Sequence, residues 1–173
     1  EIAVENMFPW KVARQNLKAY SPGLDPTKMD CDAMTLDFSH ASLSGRDSLE
    51  LALAMGSKLR HVHLCDGSGS MDEGRIFDEH LLPGHGSEPV AEVLEYLVQQ
   101  GWNGSVVAEV NTRKAKDEAA RLELLRETLE FAQAHLGTTR RSYFWHPHPQ
   151  EVVSMFRRAG RRATGAGGRP SVS

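Results

Sequence analysis

The 173-residue sequence predicts an α/β protein built on a parallel sheet. Short runs rich in β-branched residues alternate along the chain with longer runs of helical spacing, and this strand-then-helix unit occurs four times. Because successive strands joined by a crossover helix run parallel, the four units predict a parallel sheet covered by helices. Two architectures fit this order: an open doubly wound sheet, or part of a (β/α)8 barrel, of which four units would make about half.

The first two units are predicted before residue 59. Residues 2–6 (IAVEN) predict a short strand, and a helix-like stretch follows around Lys11–Tyr20. Residues 33–41 (AMTLDFSHA) form a second strand-like run. Residues 46–58 (RDSLELALAMGSK) carry apolar side chains at helical spacing and predict the helix that follows this strand.

The last two units follow the same order. Residues 59–67 (LRHVHLCDG) alternate in strand fashion, and residues 87–101 (SEPVAEVLEYLVQQG) predict a helix with a serine start, an early proline and a glycine stop. Residues 104–111 (GSVVAEVN) predict the fourth strand. A long amphipathic helix is predicted over residues 117–137, where it ends at a glycine.

Composition indicates a water-soluble globular protein in a reducing compartment. Hydrophobic residues make up 40% and charged residues 25% of the chain, and no apolar run approaches the roughly 20 residues that cross a membrane. The two cysteines, Cys31 and Cys65, form no CxxC motif, and no signal peptide is expected, so we predict a cytoplasmic location. Because Glu1 directly precedes an apolar run, we expect the N-terminal part of a longer protein to be missing.

Charge divides the chain into two predicted parts. Residues 138–173 hold seven arginines and one glutamate, whereas the preceding residues carry a net charge of −9. The sequence therefore predicts a folded domain over residues 1–137 and an Arg-rich, largely disordered tail over 138–173. A nucleic-acid-binding arm is the alternative interpretation of this tail, but a solvated tail is favoured.

Titratable side chains follow each predicted strand. Glu5, Asp37, His63 and Glu109 lie at the ends of the four strands in turn, which is the edge where active sites form in parallel α/β folds. Each residue alone would be solvated or structural. Four together at buried strand ends cost free energy unless they are paired or bind a metal ion. Mixed carboxylate and imidazole ligands suit Mn²⁺, Mg²⁺, Co²⁺ or Zn²⁺, so the sequence predicts a divalent metal site.

A second polar cluster is predicted beside the first. Asp78 and His80 have D-x-H spacing, which in an extended segment points both side chains the same way. They could join His40 in a pocket that holds either a further metal ion or substrate oxygens. Asp66 is predicted to orient a metal ligand through a hydrogen bond. Two other histidines are expected to be structural or on a surface turn: His61 and His85.

Five motifs, in this order, resemble a known family: VENM, LDFSHA, HVHLCD, DEHLLPGHG and AEVN. From residue 1 to about residue 136 the chain resembles the sugar phosphate isomerase/epimerase family of the xylose isomerase-like TIM barrel superfamily, which is related to AP endonuclease family 2. The resemblance implies an N-terminally truncated member. Its expected fold is the C-terminal half of a (β/α)8 TIM barrel, with four βα units and a disordered basic C-terminal tail.

The resemblance also implies roles for the strand-end residues. In the epimerases one divalent metal ion is held at the positions of Glu5, Asp37, His63 and Glu109. The two glutamates also form the catalytic acid/base pair. The expected ion is Mn, Mg or Co, with Zn as the alternative. The position of His40 contacts substrate in the epimerases, whereas the AP endonucleases bind another zinc ion through three positions: those of His40, Asp78 and His80.

The predicted function is isomerisation or epimerisation of a sugar or sugar phosphate. One carboxylate removes a proton beside a carbonyl or hydroxyl, the metal ion stabilises the enediolate, and another carboxylate returns the proton. The first alternative is a zinc-dependent AP endonuclease-like phosphodiesterase, although a net charge of −9 is unsuited to binding nucleic acid. The second is an inactive half-barrel. We expect a small-molecule partner, no membrane partner, and closure of the barrel by a homo-oligomer or a missing N-terminal half.

Overall fold

The structure is a computed structural model that describes residues 2–12, 15–17, 25–69, 71–72 and 75–137. The predicted Arg-rich tail over residues 138–173 lies outside the described residues. In chain order the strands and helices are β1 (Ala3–Glu5), β2 (Trp10–Val12), β3 (Gln15–Leu17), β4 (Ala33–Asp37), α1 (Phe38–Ser44), α2 (Ser48–Met55), β5 (Leu59–Leu64), β6 (Met71–Asp72), β7 (Arg75–Ile76), α3 (Val90–Gln99), β8 (Ser105–Ala108) and α4 (Glu118–Leu136). Two short 3-10 helices cover Pro26–Lys28 and Gly56–Lys58.

The principal sheet has four strands in the order β1–β4–β5–β8, and every neighbouring pair is parallel. The predicted parallel sheet of βα units is therefore confirmed. Its register places Glu5 beside Thr35 and Asp37 beside His63. Because all four strands run in the same direction, their carboxyl ends meet at one edge of the sheet.

The hydrophobic core lies between this sheet and the helices. The central strands β4 and β5 supply Leu36 and Val62, and the amphipathic helix α3 covers them with Val93 and Leu94, all fully buried. Burying each of these side chains contributes about 1.5–3 kcal/mol, so the core fixes the strands whose ends carry the polar residues. Among the described helices, none is both long and apolar enough to span a membrane.

The predicted helix around Lys11–Tyr20 is wrong. Residues Trp10–Val12 and Gln15–Leu17 form β2 and β3, which pair in antiparallel fashion. Antiparallel pairing of these two strands with each other overrides the helix propensity of the residues around them. Residues 13–14 and 18–20 lie outside the described residues.

The second predicted strand, residues 33–41, is too long at its end. The strand stops at Asp37 and α1 begins at Phe38. Asp37 caps this helix, because its Oδ1 atom accepts a hydrogen bond from the backbone N–H of His40 at 2.9 Å. The helix then ends at Gly45, whose φ of +67° lies in the left-handed region that glycine tolerates.

Candidate functional site

Four side chains predicted as metal ligands come together at the carboxyl edge of the sheet. The Nδ1 atom of His63 lies 3.2 Å from Oε1 of Glu5, 3.3 Å from Oδ2 of Asp37 and 2.7 Å from Oε2 of Glu109. The strands themselves position three of these side chains, since Glu5, Asp37 and His63 are residues of β1, β4 and β5. Glu109 follows β8 and is held by a hydrogen bond from its backbone N–H to the Leu64 carbonyl.

The donor set fits a cation. Glu5, Asp37 and His63 each offer one ligand atom, and these atoms lie within 4.8 Å of one another. Asp37 Oδ2 and His63 Nδ1 are buried, and neither meets a described atom in hydrogen-bond geometry, although Nδ1 lies within ion-pair distance of the three carboxylates. A buried polar atom without a partner costs about 1–3 kcal/mol, which coordination of an ion would offset. Glu109 contacts this group only at His63 among the described ion pairs, and its side chain is 47% exposed.

Proximity of the charged groups shifts their pKa values in opposite directions. Close contacts with the carboxylates of Asp37 and Glu5 raise the pKa of His63 to about 10. Burial favours the neutral form of Glu5, but the contacts with His40 and His63 outweigh it and lower the Glu5 pKa to about 2. Glu5 therefore stays ionised across the neutral range, as a carboxylate ligand of a cation must be.

The second predicted cluster also assembles. Oδ2 of Asp78 lies 3.2 Å from Nε2 of His40 and 2.9 Å from Nε2 of His80. Oδ1 of Asp78 accepts a hydrogen bond from the Ser39 hydroxyl at 2.7 Å. His40 links the two clusters, because its Nδ1 atom lies 2.9 Å from Oε1 of Glu5.

Both histidines of the second cluster have one ring nitrogen committed to the backbone. The Nδ1–H group of His40 donates to the Asn6 carbonyl at 3.1 Å, and that of His80 donates to the Glu109 carbonyl at 2.7 Å. Each Nε2 atom is thereby directed to Asp78, the arrangement that second-sphere hydrogen bonds give to metal-binding histidines. Burial disfavours the charged form of both rings, but the contact with Asp78 and the charge of Asp37, joined at His40 by Glu5, together outweigh it and raise the pKa of His40 to about 10 and of His80 to about 9.

His80 reaches the cluster by a conformation that its D-x-H spacing does not predict. Its φ is +45°, so the segment is not extended, and His80 is the only non-glycine residue with positive φ among those described. Left-handed backbone costs a non-glycine residue about 1–2 kcal/mol. The conformation is held by a hydrogen bond from the Asn111 N–H to the His80 carbonyl at 2.8 Å, and by the Ser39 hydroxyl at the His80 N–H.

Asp66 anchors a loop in this structure. Its buried carboxylate accepts hydrogen bonds from four backbone N–H groups: Gly67, Gly84, Gly86 and Glu88. Its own backbone pairs with Leu81 in both directions at 2.9 Å. These bonds fix the segment that carries Asp78 and His80, so the influence of Asp66 on a ligand passes through the loop backbone. Gly86 is required there, since a Cβ atom would lie 2.3 Å from Oδ1 of Asp66.

Two residues without a predicted site role adjoin the first cluster. Asn6 is buried against Asp37, whose N–H donates to its Oδ1 at 2.8 Å, and the Sγ atom of Cys65 lies 3.7 Å from Oδ1 of Asp37. Burial raises the pKa of the Cys65 thiol. The HVHLCD motif could have predicted that Cys65 lies near the site. Residues two apart on a strand share a face, and Cys65 is two positions after His63.

Two other histidines of residues 60–86 lie outside these contacts, His61 and His85. His61 stacks edge-on against His63, with ring centroids 5.0 Å apart, and burial lowers its pKa. His85 is exposed on its turn, where Nε2 lies 3.1 Å from Oε1 of Glu127 on α4. Neither is part of the group formed by Asp78 and its histidine partners.

The clusters open onto cavities large enough for a small molecule. One cavity of about 470 Å³ is lined by Asp78, His80, Glu109 and Arg113, among others. A second, of about 410 Å³, shares Asp78 and His80 and includes Lys114. Cavities of this size with convergent polar groups are typical of small-molecule sites.

The structure has parallel strands joined by helices, with acids and histidines converging at the carboxyl ends of the strands. These are the features of βα-barrel proteins that have a polar site at the strand ends. The family follows from comparison. The chain belongs to the xylose isomerase-like TIM barrel family, whose model matches residues 2–135. This result confirms the family predicted from the five motifs.

Individual relatives agree with this assignment. An uncharacterized protein of Mycobacterium tuberculosis is 40% identical over 78% of this chain and 53% of its own length. Fructoselysine 3-epimerase of Escherichia coli O157:H7 is 33% identical over 34% of this chain and 19% of its own length. The crystal structure of a D-tagatose 3-epimerase-like protein matches 79% of this chain and 49% of its own, with a TM-score of 0.51 and 26% identity. The chain thus spans about half the length of the mycobacterial relative and of this structure.

Proposed function

We propose that this protein is a divalent-metal-dependent isomerase or epimerase of a sugar or sugar phosphate. The observation that carries the proposal is the meeting of Glu5, Asp37 and Glu109 at one atom, Nδ1 of His63, at distances of 2.7–3.3 Å. Family membership and the two epimerase-named relatives support the reaction class. Mn²⁺, Mg²⁺ or Co²⁺ suits this donor set, with Zn²⁺ as the alternative.

In the proposed mechanism, the two glutamates move the proton. Glu109 lines the larger cavity and is accessible, so it can take a proton from a substrate carbon bound there. Glu5 comes from β1, at the other side of the sheet, and would deliver a different proton, taken up from water, to the opposite face or to the next carbon, while Glu109 releases its proton to water. A divalent ion held by Glu5, Asp37, His63 and Glu109 would polarise the substrate carbonyl and stabilise negative charge on its oxygens. Asp78 and His80 line the larger cavity and can contact a substrate bound there.

Two cations at the rim support a substrate with an anionic group. Arg113 lines the larger cavity and Lys114 the smaller one. Neither side chain forms an ion pair with the part of the chain that the structure describes. Unpaired cations next to a small-molecule cavity suit a phosphate group, so a sugar phosphate is the favoured substrate class.

Solvent exchange tests the mechanism. Wild-type protein loaded with Mn²⁺ is incubated in deuterium oxide with a panel of ketoses and ketose phosphates, and deuterium incorporation is followed by NMR. We expect Glu109→Gln to abolish incorporation, because an amide cannot accept the proton. Glu127→Gln is the matched control. Among the described residues, the only ion-pair partner of Glu127 is the surface residue His85. Exchange that persisted in Glu109→Gln would contradict the mechanism.

The second cluster favours one alternative, a zinc-dependent AP endonuclease-like phosphodiesterase. His40, Asp78 and His80 offer three further ligand atoms within 4.8 Å, so the edge of the sheet has room for more than one ion. Metal analysis of zinc-loaded protein separates the two functions: one tightly bound ion per chain supports the epimerase, and more than one supports the phosphodiesterase. Wild-type protein that binds metal but catalyses neither reaction would support an inactive half-barrel.

A further inference from the structure

Asn6 is almost completely buried, with 1% of its surface exposed, at the point where β1 ends. The backbone ladder between β1 and β4 reaches its last bond here, from the Asn6 N–H to the Thr35 carbonyl at 3.3 Å. Beyond this bond the two strands are no longer paired, because β4 continues to Asp37 while β1 has ended. Asn6 therefore stands where two candidate ligands, Glu5 and Asp37, leave the sheet.

The side-chain amide of Asn6 continues the ladder for one more residue. Oδ1 of Asn6 accepts a hydrogen bond from the Asp37 N–H at 2.8 Å, and its Nδ2 donates to the Asp37 carbonyl at 2.9 Å. A peptide N–H can only donate and a carbonyl can only accept, so these partners fix which side of the amide is oxygen. The amide thus substitutes for a missing peptide group and binds both polar groups of Asp37.

Asn6 also connects to the second cluster. Its backbone carbonyl accepts the Nδ1–H of His40 at 3.1 Å, next to the contact of the same nitrogen with Oε1 of Glu5. One residue therefore joins the β1 end, the β4 end and the helix α1 that carries His40. A change in the Asn6 amide would alter the separation of Glu5 and Asp37 without removing either carboxylate.

We propose that Asn6 is a positioning residue that sets the distance between the Glu5 and Asp37 carboxylates for a shared divalent ion. The proposal rests on the proposed role of these two carboxylates as ligands. Asn6 touches neither the ion nor the substrate; it acts through the backbone of Asp37. Partners that orient metal ligands in this way change metal affinity by about 10–100-fold when they are removed.

The test compares Asn6→Leu with Thr128→Val in Co²⁺ binding. Asn6→Leu keeps the branched shape of the side chain and removes both hydrogen bonds to Asp37. Thr128 is an equally buried polar residue whose hydroxyl bonds the Leu124 carbonyl within α4. Both variants are expected to lower the melting temperature. Titration calorimetry and the visible absorption spectrum of bound Co²⁺ report on the site itself.

We expect Asn6→Leu to bind Co²⁺ about 10–100-fold more weakly, with a changed visible spectrum, whereas Thr128→Val keeps both wild-type properties. Unchanged Co²⁺ affinity and spectrum in folded Asn6→Leu would overturn the proposal, and so would an equal loss in Thr128→Val. If Asn6→Leu does not fold, Asn6→Ser is measured against the same criteria. Wild-type protein that binds no Co²⁺ would overturn the proposed function, and this role of Asn6 with it.

Discussion

At the scale of single residues, His63 is where three carboxylates meet. Its Nδ1 atom contacts Glu5, Asp37 and Glu109, and the first two of these acids raise the His63 pKa to about 10. A proton and a divalent ion compete for the same nitrogen lone pair. The carboxylates that hold the proton in the metal-free protein are the same groups that would bind the ion. Removing one acid should therefore weaken the binding of both the proton and the divalent ion at this site.

Asp37→Asn is expected to reduce Co²⁺ affinity by at least about a hundredfold while the fold is kept. An asparagine still caps α1 through its side-chain oxygen, because Asn and Asp are comparable N-caps. Asp47→Asn is the matched control, since Asp47 caps α2 in the same way: its Oδ1 accepts a hydrogen bond from the N–H of Glu50. Titration calorimetry measures the affinity of each variant. Equal Co²⁺ affinities in the two variants would exclude Asp37 as a ligand.

The sequence identifies the four strand-end residues better than their supports. Titratable residues at the end of every strand form a pattern that can be seen in one dimension. The bonds of Asn6 cannot be seen in this way, because its partner Asp37 lies 31 positions further along the chain. Asp66 presents a similar difficulty. A buried aspartate beside a ligand predicts contact with that ligand, but here its oxygens are taken by loop N–H groups 18–22 positions away.

At the scale of elements, the short helix Pro26–Lys28 is tied to the segment that follows α1. Oδ1 of Asp25 accepts hydrogen bonds from the Thr27 N–H at 2.9 Å and the Thr27 hydroxyl at 2.6 Å. Its Oδ2 accepts from Arg46 at 2.9 Å. Burial favours the neutral carboxyl, but the contacts with Thr27 and Arg46 outweigh it and lower the pKa of Asp25 below its ordinary value of 3.8.

Asp25→Asn should therefore destabilise the protein by about 1 kcal/mol near neutral pH, because the neutral amide loses the ion pair and weakens the hydrogen bonds. The sign follows from the lowered pKa: the stabilisation is present above the ordinary value of 3.8 and disappears as pH falls through the folded-state pKa. Urea unfolding of wild type and variant at several pH values measures the difference. A difference that did not shrink in acid would contradict the assignment.

Elements with a clear period were predictable, and elements set by a single contact were not. The helix α4 and the four parallel strands follow from apolar spacing, with bounds that shift by a few residues. Residues 38–41 read as strand because their apolar character matches one, but the cap formed by Asp37 starts a helix. The stretch from Trp10 to Leu17 has too few apolar residues to specify a period, and pairing of β2 with β3 decides its conformation.

At the scale of the whole molecule, the sheet has two outer strands. Among the described residues β1 pairs only with β4, and β8 pairs only with β5. Val107 on β8 is exposed, and so are three leucines at helical spacing on α4: Leu122, Leu125 and Leu129. Unpaired strand edges next to exposed apolar side chains promote association between chains.

We expect this chain to associate as its concentration rises, and the double substitution Leu122→Lys with Leu129→Lys to reduce that association. Lysine and leucine have similar helix propensities, so α4 should be retained. Leu53→Lys is the control, because Leu53 is an exposed leucine on a different helix, α2. Analytical ultracentrifugation over a range of concentrations gives the association constant of each variant. A constant unaffected by the double substitution would exclude the leucines of α4 from the contact.

The strand order β1–β4–β5–β8 also bears on how the chain folds while it is being made. Each strand of this sheet lies beside the member of the same sheet that precedes it along the chain. The ribosome delivers about 5–20 residues per second, so each new βα unit emerges next to an edge that is already in place. Pairing need not wait for a distant segment of the chain. One of the two open edges is then always the most recently made strand, for about the few seconds needed to synthesise the next unit, and β1 remains the other.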